Sequence, residues 1–234
     1  MRLFISCEHG GNRIPDKYRH LFKDADTILN SYQGYDIGAF ELYKTLLHNK
    51  EVDFSIHNEI SKLLVDCNCD SFRSNLYSSY TKYIYEDDKK HIFNNYYFPY
   101  RNTIFKNVNE VISQGERVIH ISLNTFSPSE KGKIRDADIG ILFNSQHRIE
   151  KYIAKYWRDI LYEIFPSLSV RFNYPSLGKM EGITAPLRKE YNDMYMGFEL
   201  ELNNKYAGNS KIYEGVKTSV LKLKKQMEFY YGSK

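Results

Sequence analysis

A short apolar segment near the C-terminus carries two carboxylates, Gly197-Phe198-Glu199-Leu200-Glu201-Leu202-Asn203. Alternate side chains of a strand point to opposite faces, so Glu199 and Glu201 share one face and the apolar residues take the other. Burying two anions is costly unless a metal, a cationic substrate group or a basic side chain meets them. Glu199 and Glu201 are therefore candidates for a functional site, and an exposed edge strand is the alternative interpretation.

A glycine-containing loop, Cys7-Glu8-His9-Gly10-Gly11-Asn12, follows the first apolar segment. Glycines let the backbone turn tightly, and a histidine just past a buried strand suits a metal ligand or a general base. Ligands of open α/β sheets bind beyond the carboxyl ends of the strands. We expect the functional site at this loop, although a histidine in a turn is often structural or merely exposed.

Two further polar segments follow predicted strands. In Lys62-Leu63-Leu64-Val65-Asp66-Cys67-Asn68-Cys69, the spacing of Asp66 and Asn68 would let both face one cavity, although capping of backbone amides is equally plausible. Asn124 follows the apolar segment 118–123. His120 would lie about 13 Å from Asn124, at ~3.3 Å per residue, so we expect His120 to be buried and hydrogen-bonded in the core.

The elements that must position these groups alternate between strands and helices. Apolar patterns predict strands at 3–6, 52–56, 60–65, 118–123, 139–143, 169–172 and 196–202. They predict helices at 36–48, with Asp36 as the N-cap, and at about 99–113, 149–164 and 210–230, with a surface loop at 70–90. Such alternation predicts an α/β fold with a mainly parallel sheet covered on both faces. No repeat or linker divides residues 1–234, so one domain is expected.

Composition limits the partners and the compartment. Three cysteines and no signal-peptide pattern favour a reducing cytoplasm, and the apolar runs are too short to cross a bilayer. The formal net charge of +4 is small, and the lysines of 217–225 fit a solvated helix face. The alternative is a nucleic-acid or protein-binding surface formed by the tyrosines of 70–100, where Glu86, Asp87 and Asp88 interrupt the basic character. We expect no nucleic-acid or membrane partner.

In their order along the chain, these segments resemble the N-formylglutamate amidohydrolase family, which is related to the aspartoacylases and the zinc carboxypeptidases. The resemblance extends from Cys7 to about Asn203. Its further segments are Asp36-Ile37-Gly38-Ala39, 61–68, Pro99-Tyr100-Arg101, Arg135-Asp136-Ala137-Asp138-Ile139-Gly140, Phe172-Asn173-Tyr174-Pro175 and Gly182-Ile183-Thr184. The resemblance implies a zinc-carboxypeptidase-like fold, a three-layer αβα sandwich with a mainly parallel mixed sheet.

The activity implied by the resemblance is hydrolysis of the amide of a small N-acyl, or N-formyl, amino acid by a zinc-activated water. His9 would be the metal ligand of the first loop. Asn12 lies where the related carboxypeptidases carry a glutamate ligand. Glu199 resembles the catalytic carboxylate, with Glu201 as the neighbouring alternative.

A small carboxylate-bearing substrate is the expected partner. We expect Lys62, Asn68, Arg101 and Arg135 to bind it, because basic side chains and amides recognise carboxylates. The oligomeric state, the acyl group and the amino acid remain open.

Two positions depart from the family pattern. Where the family has a zinc-binding histidine before Ser/Thr-Phe, this chain has Asn124, whose amide oxygen is a poor, uncharged zinc ligand. Where the family has an arginine after Asp-x-Asn, this chain has Cys69, and Lys62 retains positive charge nearby. Cys69 could alternatively supply a thiolate to a displaced metal. The sequence therefore predicts either a metal-dependent amidohydrolase with an incomplete ligand set, or a catalytically retired member that binds a small anion.

Overall fold

Strands and helices alternate along most of the chain in the computed structural model, which describes residues 1–48, 50–130, 132–178 and 182–231. The strands are β1 Arg2–Cys7, β2 Phe54–His57, β3 Val118–Phe126, β4 Ser129–Glu130, β5 Lys133–Ile134, β6 Ile139–Leu142, β7 Val170–Phe172 and β8 Tyr195–Asn203. The α-helices are α1 Asp26–Leu29, α2 Ala39–Leu47, α3 Glu86–Ile92, α4 Phe98–Ser113, α5 Arg148–Ile164, α6 Thr184–Tyr191 and α7 Ser210–Tyr231. Short 3-10 helices span Asp16–Phe22, Asn192–Met194 and Asn204–Tyr206, and a π-helical turn, Phe93–Tyr97, runs into α4.

Six strands form one mixed sheet in the order β2-β1-β3-β8-β6-β7. The first four strands of this order are parallel, β6 runs antiparallel to β8, and β7 runs parallel to β6. A separate hairpin joins β4 and β5. The α/β class predicted from the alternation of elements is confirmed. The register places Ser122 beside Glu199 and Asn124 beside Glu201.

Helices cover both faces of this sheet. On one face, α2, α5 and α7 pack against alternate strand residues such as Ile121 and Phe198. On the other face, α4 and α6 pack in a second cluster that includes Phe4 and Tyr195. Strand residues that alternate between two apolar clusters place the sheet in the middle of three layers, as in the predicted αβα sandwich. No helix in the described ranges is long and apolar enough to cross a membrane.

The predicted strand at 60–65 is wrong. Ile60 forms only an isolated bridge with Arg13, and the residues after it form turns. Leu64 and Val65 are fully buried in the second cluster, so this apolar run reflects turns packed beneath a loop. A short apolar run has the same composition whether it is a strand or a buried turn.

The predicted role of Asp36 as a helix cap is also wrong. Helix α2 begins at Ala39, and its N-cap residue is Gly38, whose φ of 90° lies in the left-handed region that glycine tolerates. The Asp36 carboxylate instead accepts hydrogen bonds from the Lys62 ammonium and the backbone N–H of Thr125. The predicted loop at 70–90 is correct in its first part, but α3 begins at Glu86.

Candidate functional site

A cavity of about 360 Å³ lies where the carboxyl ends of β1, β3 and β8 meet. Polar side chains from the four predicted segments line it, as the clustering of polar strand ends predicted, together with Asp36 from the loop before α2. They include His9, Asp36, Lys62, Asp66, Asn68, Cys69, Asn124, Glu199 and Glu201, with Glu130 and Arg135 contributed by the hairpin at the rim.

His9 is held between two carboxylates at one side of this cavity. Its Nε2 lies 2.7 Å from Oδ1 of Asp66, and its Nδ1 lies 3.6 Å from Oδ1 of Asp36. Burial alone would lower the pKa of His9, but the charges of Asp66 and Asp36 outweigh it and raise that pKa to about 10. His9 is therefore an imidazolium at neutral pH in this arrangement, with both ring nitrogens directed at carboxylates.

Lys62 reaches the same cluster from the loop after β2. Its Nζ donates to Oδ1 of Asp36 over 2.7 Å, and the other oxygen of Asp36 accepts from the backbone of Thr125. Although burial would raise the pKa of Asp36, Lys62 and His9 hold it well below its usual range. Burial opposes a charged Lys62, yet Asp36 raises the pKa of this lysine. The result is a partly buried chain of alternating charges, Lys62–Asp36–His9–Asp66.

Glu199 forms part of the cavity wall and is 5% exposed. Its Oε2 accepts a hydrogen bond from Asn68 Nδ2 over 3.2 Å, and Thr184 Oγ1 lies 3.4 Å from its Oε1. Burial raises the pKa of Glu199 to about 7, against the opposing hydrogen bond from Asn68. A carboxyl with a pKa near neutrality can both accept and release a proton at physiological pH.

Gly182 makes this environment possible. Its φ is +85°, and a Cβ at this position would lie 2.4 Å from Oε1 of Glu199 and 2.8 Å from Oδ1 of Asn68. Only glycine tolerates both the backbone angle and the close approach. The next residue, Ile183, donates its backbone N–H to Oδ1 of Asn68, which turns the amide NH₂ of Asn68 toward Glu199.

Glu201 lies two residues further along β8 and also faces the cavity. Its carboxyl makes no hydrogen bond to any residue in the described ranges. Burial, together with the charges of Asp36 and Glu199, raises the pKa of Glu201 to about 8, while Lys62 and His9 act in the opposite direction. The alternation rule thus placed both glutamates on one face correctly.

A chain of hydrogen bonds leads inward from Asn124. Asn124 Nδ2 donates to Ser122 Oγ over 2.9 Å, and Ser122 Oγ donates to the carboxylate of Glu8. The Tyr100 hydroxyl donates to the other oxygen of Glu8 over 3.0 Å. His120 lies beside this chain, fully buried between Ser6 and Tyr195, as its distance from the strand end predicted.

The structure brings most of the predicted site residues together but leaves two outside the cavity. The amide of Asn12 donates to Asn30 at the surface. Arg101 is buried, binds the carbonyl groups of Cys67 and Cys69, and faces a different cavity. Arg135 lies at the rim, where its Nη2 donates to Glu130 over 2.8 Å.

Sequence reasoning missed Glu8, Gly182 and Thr184 as parts of the site. Glu8 continues the two-residue alternation of Ser6 one position past β1, and this signal was present in the sequence. Gly182 and Thr184 lie in a segment that resembles the family, but only the fold shows that this segment, about fifteen residues earlier in the chain, approaches Glu199.

The donor groups do not fit the zinc site of the family pattern. Among the described residues, no three His, Cys, Asp or Glu side chains are arranged to hold a metal ion. Both ring nitrogens of His9 face carboxylates, and Asn124 presents a neutral amide where an imidazole is expected. Burial raises the pKa of Cys69 to about 11 and favours its thiol form, so a thiolate ligand is not favoured here.

Comparisons with known proteins agree with this architecture. The chain matches the family model described as N-formylglutamate amidohydrolase across residues 1–216. The crystal structure of a gene product from Agrobacterium tumefaciens superposes with a TM-score of 0.80, at 23% identity, over 97% of this chain and 91% of that one. An N-formylglutamate amidohydrolase from Ralstonia eutropha superposes with a TM-score of 0.67, at 13% identity, over 97% of this chain and 93% of that one. A search of curated proteins finds no match.

The fold and the cavity at the strand ends define an α/β protein with a polar site at the carboxyl ends of its strands. Because the family model covers residues 1–216, the chain belongs to the N-formylglutamate amidohydrolase family. The sequence resemblance to this family is thereby confirmed.

Proposed function

We propose that this protein hydrolyses the amide bond of a small N-acylated amino acid, with Glu199 as the acid–base group. The observation that carries the proposal is the environment of Glu199, a buried carboxyl on the cavity wall with a pKa near 7. Membership in an amidohydrolase family supports the same reaction class. A carboxyl matched to the working pH is the group that amide hydrolysis needs twice, as base and then as acid.

In the proposed reaction, ionised Glu199 takes a proton from a water whose oxygen attacks the amide carbonyl carbon. The protonated Glu199 then donates this proton to the amine nitrogen as the carbon–nitrogen bond breaks, which yields a carboxylic acid and an amine. Asn68 orients Glu199 through its hydrogen bond to Oε2. Since the zinc ligands do not fit, no step is assigned to a metal.

Two charged side chains that line the same cavity are assigned the remaining roles. The Nζ of Lys62 donates one hydrogen bond to Asp36, and its remaining N–H groups are suited to bind the carbonyl oxygen as negative charge develops there. Arg135 at the rim is suited to bind the α-carboxylate of the substrate, in exchange for its partner Glu130, which is 62% exposed.

The test is amine release from a panel of N-formyl and N-acetyl amino acids, measured with an amine-reactive fluorophore. Glu199→Gln keeps the shape and should lower kcat at least about 100-fold, in the range typical of a lost acid–base group. Glu163→Gln, at an exposed carboxyl outside the cavity, is the matched control and should leave the rate unchanged. Equal rates for Glu199→Gln and wild type would show that Glu199 is not the acid–base group.

A second candidate function is non-catalytic binding of a small carboxylate ligand. Asn124 and Cys69 at the positions of the family's histidine and arginine favour it. The double variant Asn124→His, Cys69→Arg restores the family pattern. Turnover by this double variant, together with none by the wild type, would support the second candidate. Similar turnover by both proteins would show that the wild-type site is not retired.

A further inference from the structure

The orientation of the Asn124 side chain is determined by groups beneath the cavity. A carboxylate only accepts hydrogen bonds, so the Ser122 hydroxyl donates its single proton to Glu8. The Ser122 oxygen must then accept from the NH₂ group of Asn124 over 2.9 Å. This polarity identifies which end of the amide is the carbonyl. Oδ1 of Asn124 is left as an acceptor at the cavity wall, and no described residue donates to it.

A second acceptor lies next to Asn124. The register of β3 and β8 pairs Asn124 with Glu201, and neighbouring strands are about 4.8 Å apart. The Glu201 carboxyl also faces the cavity without a hydrogen-bond partner in the described part of the chain. Asn124 thus presents a fixed acceptor, and the Glu201 carboxyl beside it is a second acceptor in its ionised form.

The cations of the cavity are already paired. Lys62 binds Asp36, and His9 lies between Asp36 and Asp66. Arg135 binds Glu130 at the rim. Within the described ranges, five carboxyl side chains line the cavity, against Lys62, Arg135 and His9. The inner wall is therefore poorly suited to an acidic side chain and well suited to a positive one.

We propose that Asn124 and Glu201 together bind an amine cation, so that the preferred substrate is an N-acyl amino acid with an ammonium side chain. This inference rests on the proposed function, whose cavity it uses. An ammonium group donates three hydrogen bonds, and Oδ1 of Asn124 and the Glu201 carboxylate, whose ionised form an adjacent cation favours, can each accept one. Asp36 and Glu199, which line the same cavity, would add to the attraction for a positive charge.

Three probes with similar chain lengths test this selectivity: Nα-formyl-lysine, Nα-formyl-norleucine and N-formylglutamate. Calorimetry on the Glu199→Gln background measures binding without turnover. We expect the lysine derivative to bind at least about tenfold more tightly than the norleucine derivative, as for a charge-assisted hydrogen bond. Tightest binding of N-formylglutamate, or no binding of the lysine derivative, would overturn the inference.

Variants on the same background assign the selectivity to these residues. Adding Glu201→Gln should remove the preference for lysine over norleucine and leave norleucine affinity within about twofold, because only the charged contact is lost. Adding Ser122→Ala frees the Asn124 amide to rotate and should weaken the preference partially. Adding Glu163→Gln, outside the cavity, should change nothing. A preference for lysine that survives Glu201→Gln would also overturn the inference.

Turnover by the wild-type protein separates this inference from the proposed function. Selective binding of the lysine derivative without hydrolysis of any probe would contradict the proposed function, and would still support the binding of an amine cation by Asn124 and Glu201. Fastest hydrolysis and tightest binding of N-formylglutamate would support the proposed function and contradict the inference.

Discussion

Replacing Glu199 by glutamine should change how the stability of the protein depends on pH. In the folded protein the pKa of Glu199 lies near 7, against an ordinary value of 4.5, chiefly because the side chain is buried. Between these two pH values the unfolded chain loses the proton while the folded protein keeps it. The contribution of Glu199 to the free energy of unfolding therefore falls as pH rises from 4.5 to 7, and it is constant above 7.

The size of this effect follows from the two pKa values. Each unit of difference between the pKa values of the folded and unfolded states corresponds to about 1.4 kcal/mol. The difference between 4.5 and about 7 therefore contributes about 3 kcal/mol to the free energy of unfolding. Glutamine has no proton to lose, and it can still accept the hydrogen bond from Asn68. Relative to wild type, Glu199→Gln should therefore gain about 3 kcal/mol of stability between pH 4.5 and pH 7.5. Removing the charge also relieves Glu201, which acts in the same direction.

Urea unfolding at a series of pH values between 4.5 and 8 measures this difference, with the slope against urea checked for constancy. Subtracting the wild-type free energy of unfolding from that of the variant cancels the contributions of titrating groups that both proteins share, such as His9. Glu163→Gln, at a carboxyl that is 68% exposed, provides the control and should give a pH-independent difference. A pH-independent difference for Glu199→Gln as well would refute the reasoning from burial.

Three further outcomes are expected. Gly182→Ala should destabilise the protein by about 1–3 kcal/mol in urea unfolding, because the new Cβ meets Glu199 at a strained backbone angle; an unchanged midpoint would contradict this. Elemental analysis of the dialysed wild type should find well under one equivalent of zinc. Asn124→His should raise the zinc affinity at least about tenfold in a chelator competition, because imidazole replaces an amide. Equal zinc affinities of variant and wild type would show that Asn124 does not limit zinc binding. Arg188→Leu should lower the free energy of unfolding by about 3–5 kcal/mol, because it leaves the fully buried Glu150 without its 2.8 Å ion-pair partner. A loss below about 1 kcal/mol would mean that the backbone N–H groups that donate to Glu150 are enough to stabilise it.

Local pattern was sufficient for most strands of the sheet, for the long helices and for the place of the site. The predicted strands at 118–123 and 196–202 lie within β3 and β8, and the amphipathic pattern at 149–164 coincides with α5. These signals are local because side chains return to the same face every two residues in a strand and every 3.6 residues in a helix. Parallel strands also end at a common edge, so polar residues after several strands had to converge. The location of His9, Asn124, Glu199 and Glu201 around one cavity followed from that.

Only the tertiary structure decided which of these polar groups pair with one another. Asp36 was interpreted as a helix cap because capping is the common local role of an aspartate, yet it pairs with Lys62, 26 residues away. Arg101 was expected to bind substrate, but it faces the carbonyl groups of Cys67 and Cys69. The orientation of Asn124 likewise depends on Glu8, which reaches it through Ser122 from another strand. Periodicity specifies which face a side chain takes, whereas the hydrogen-bond partners of a buried polar group depend on distant segments that the fold brings together.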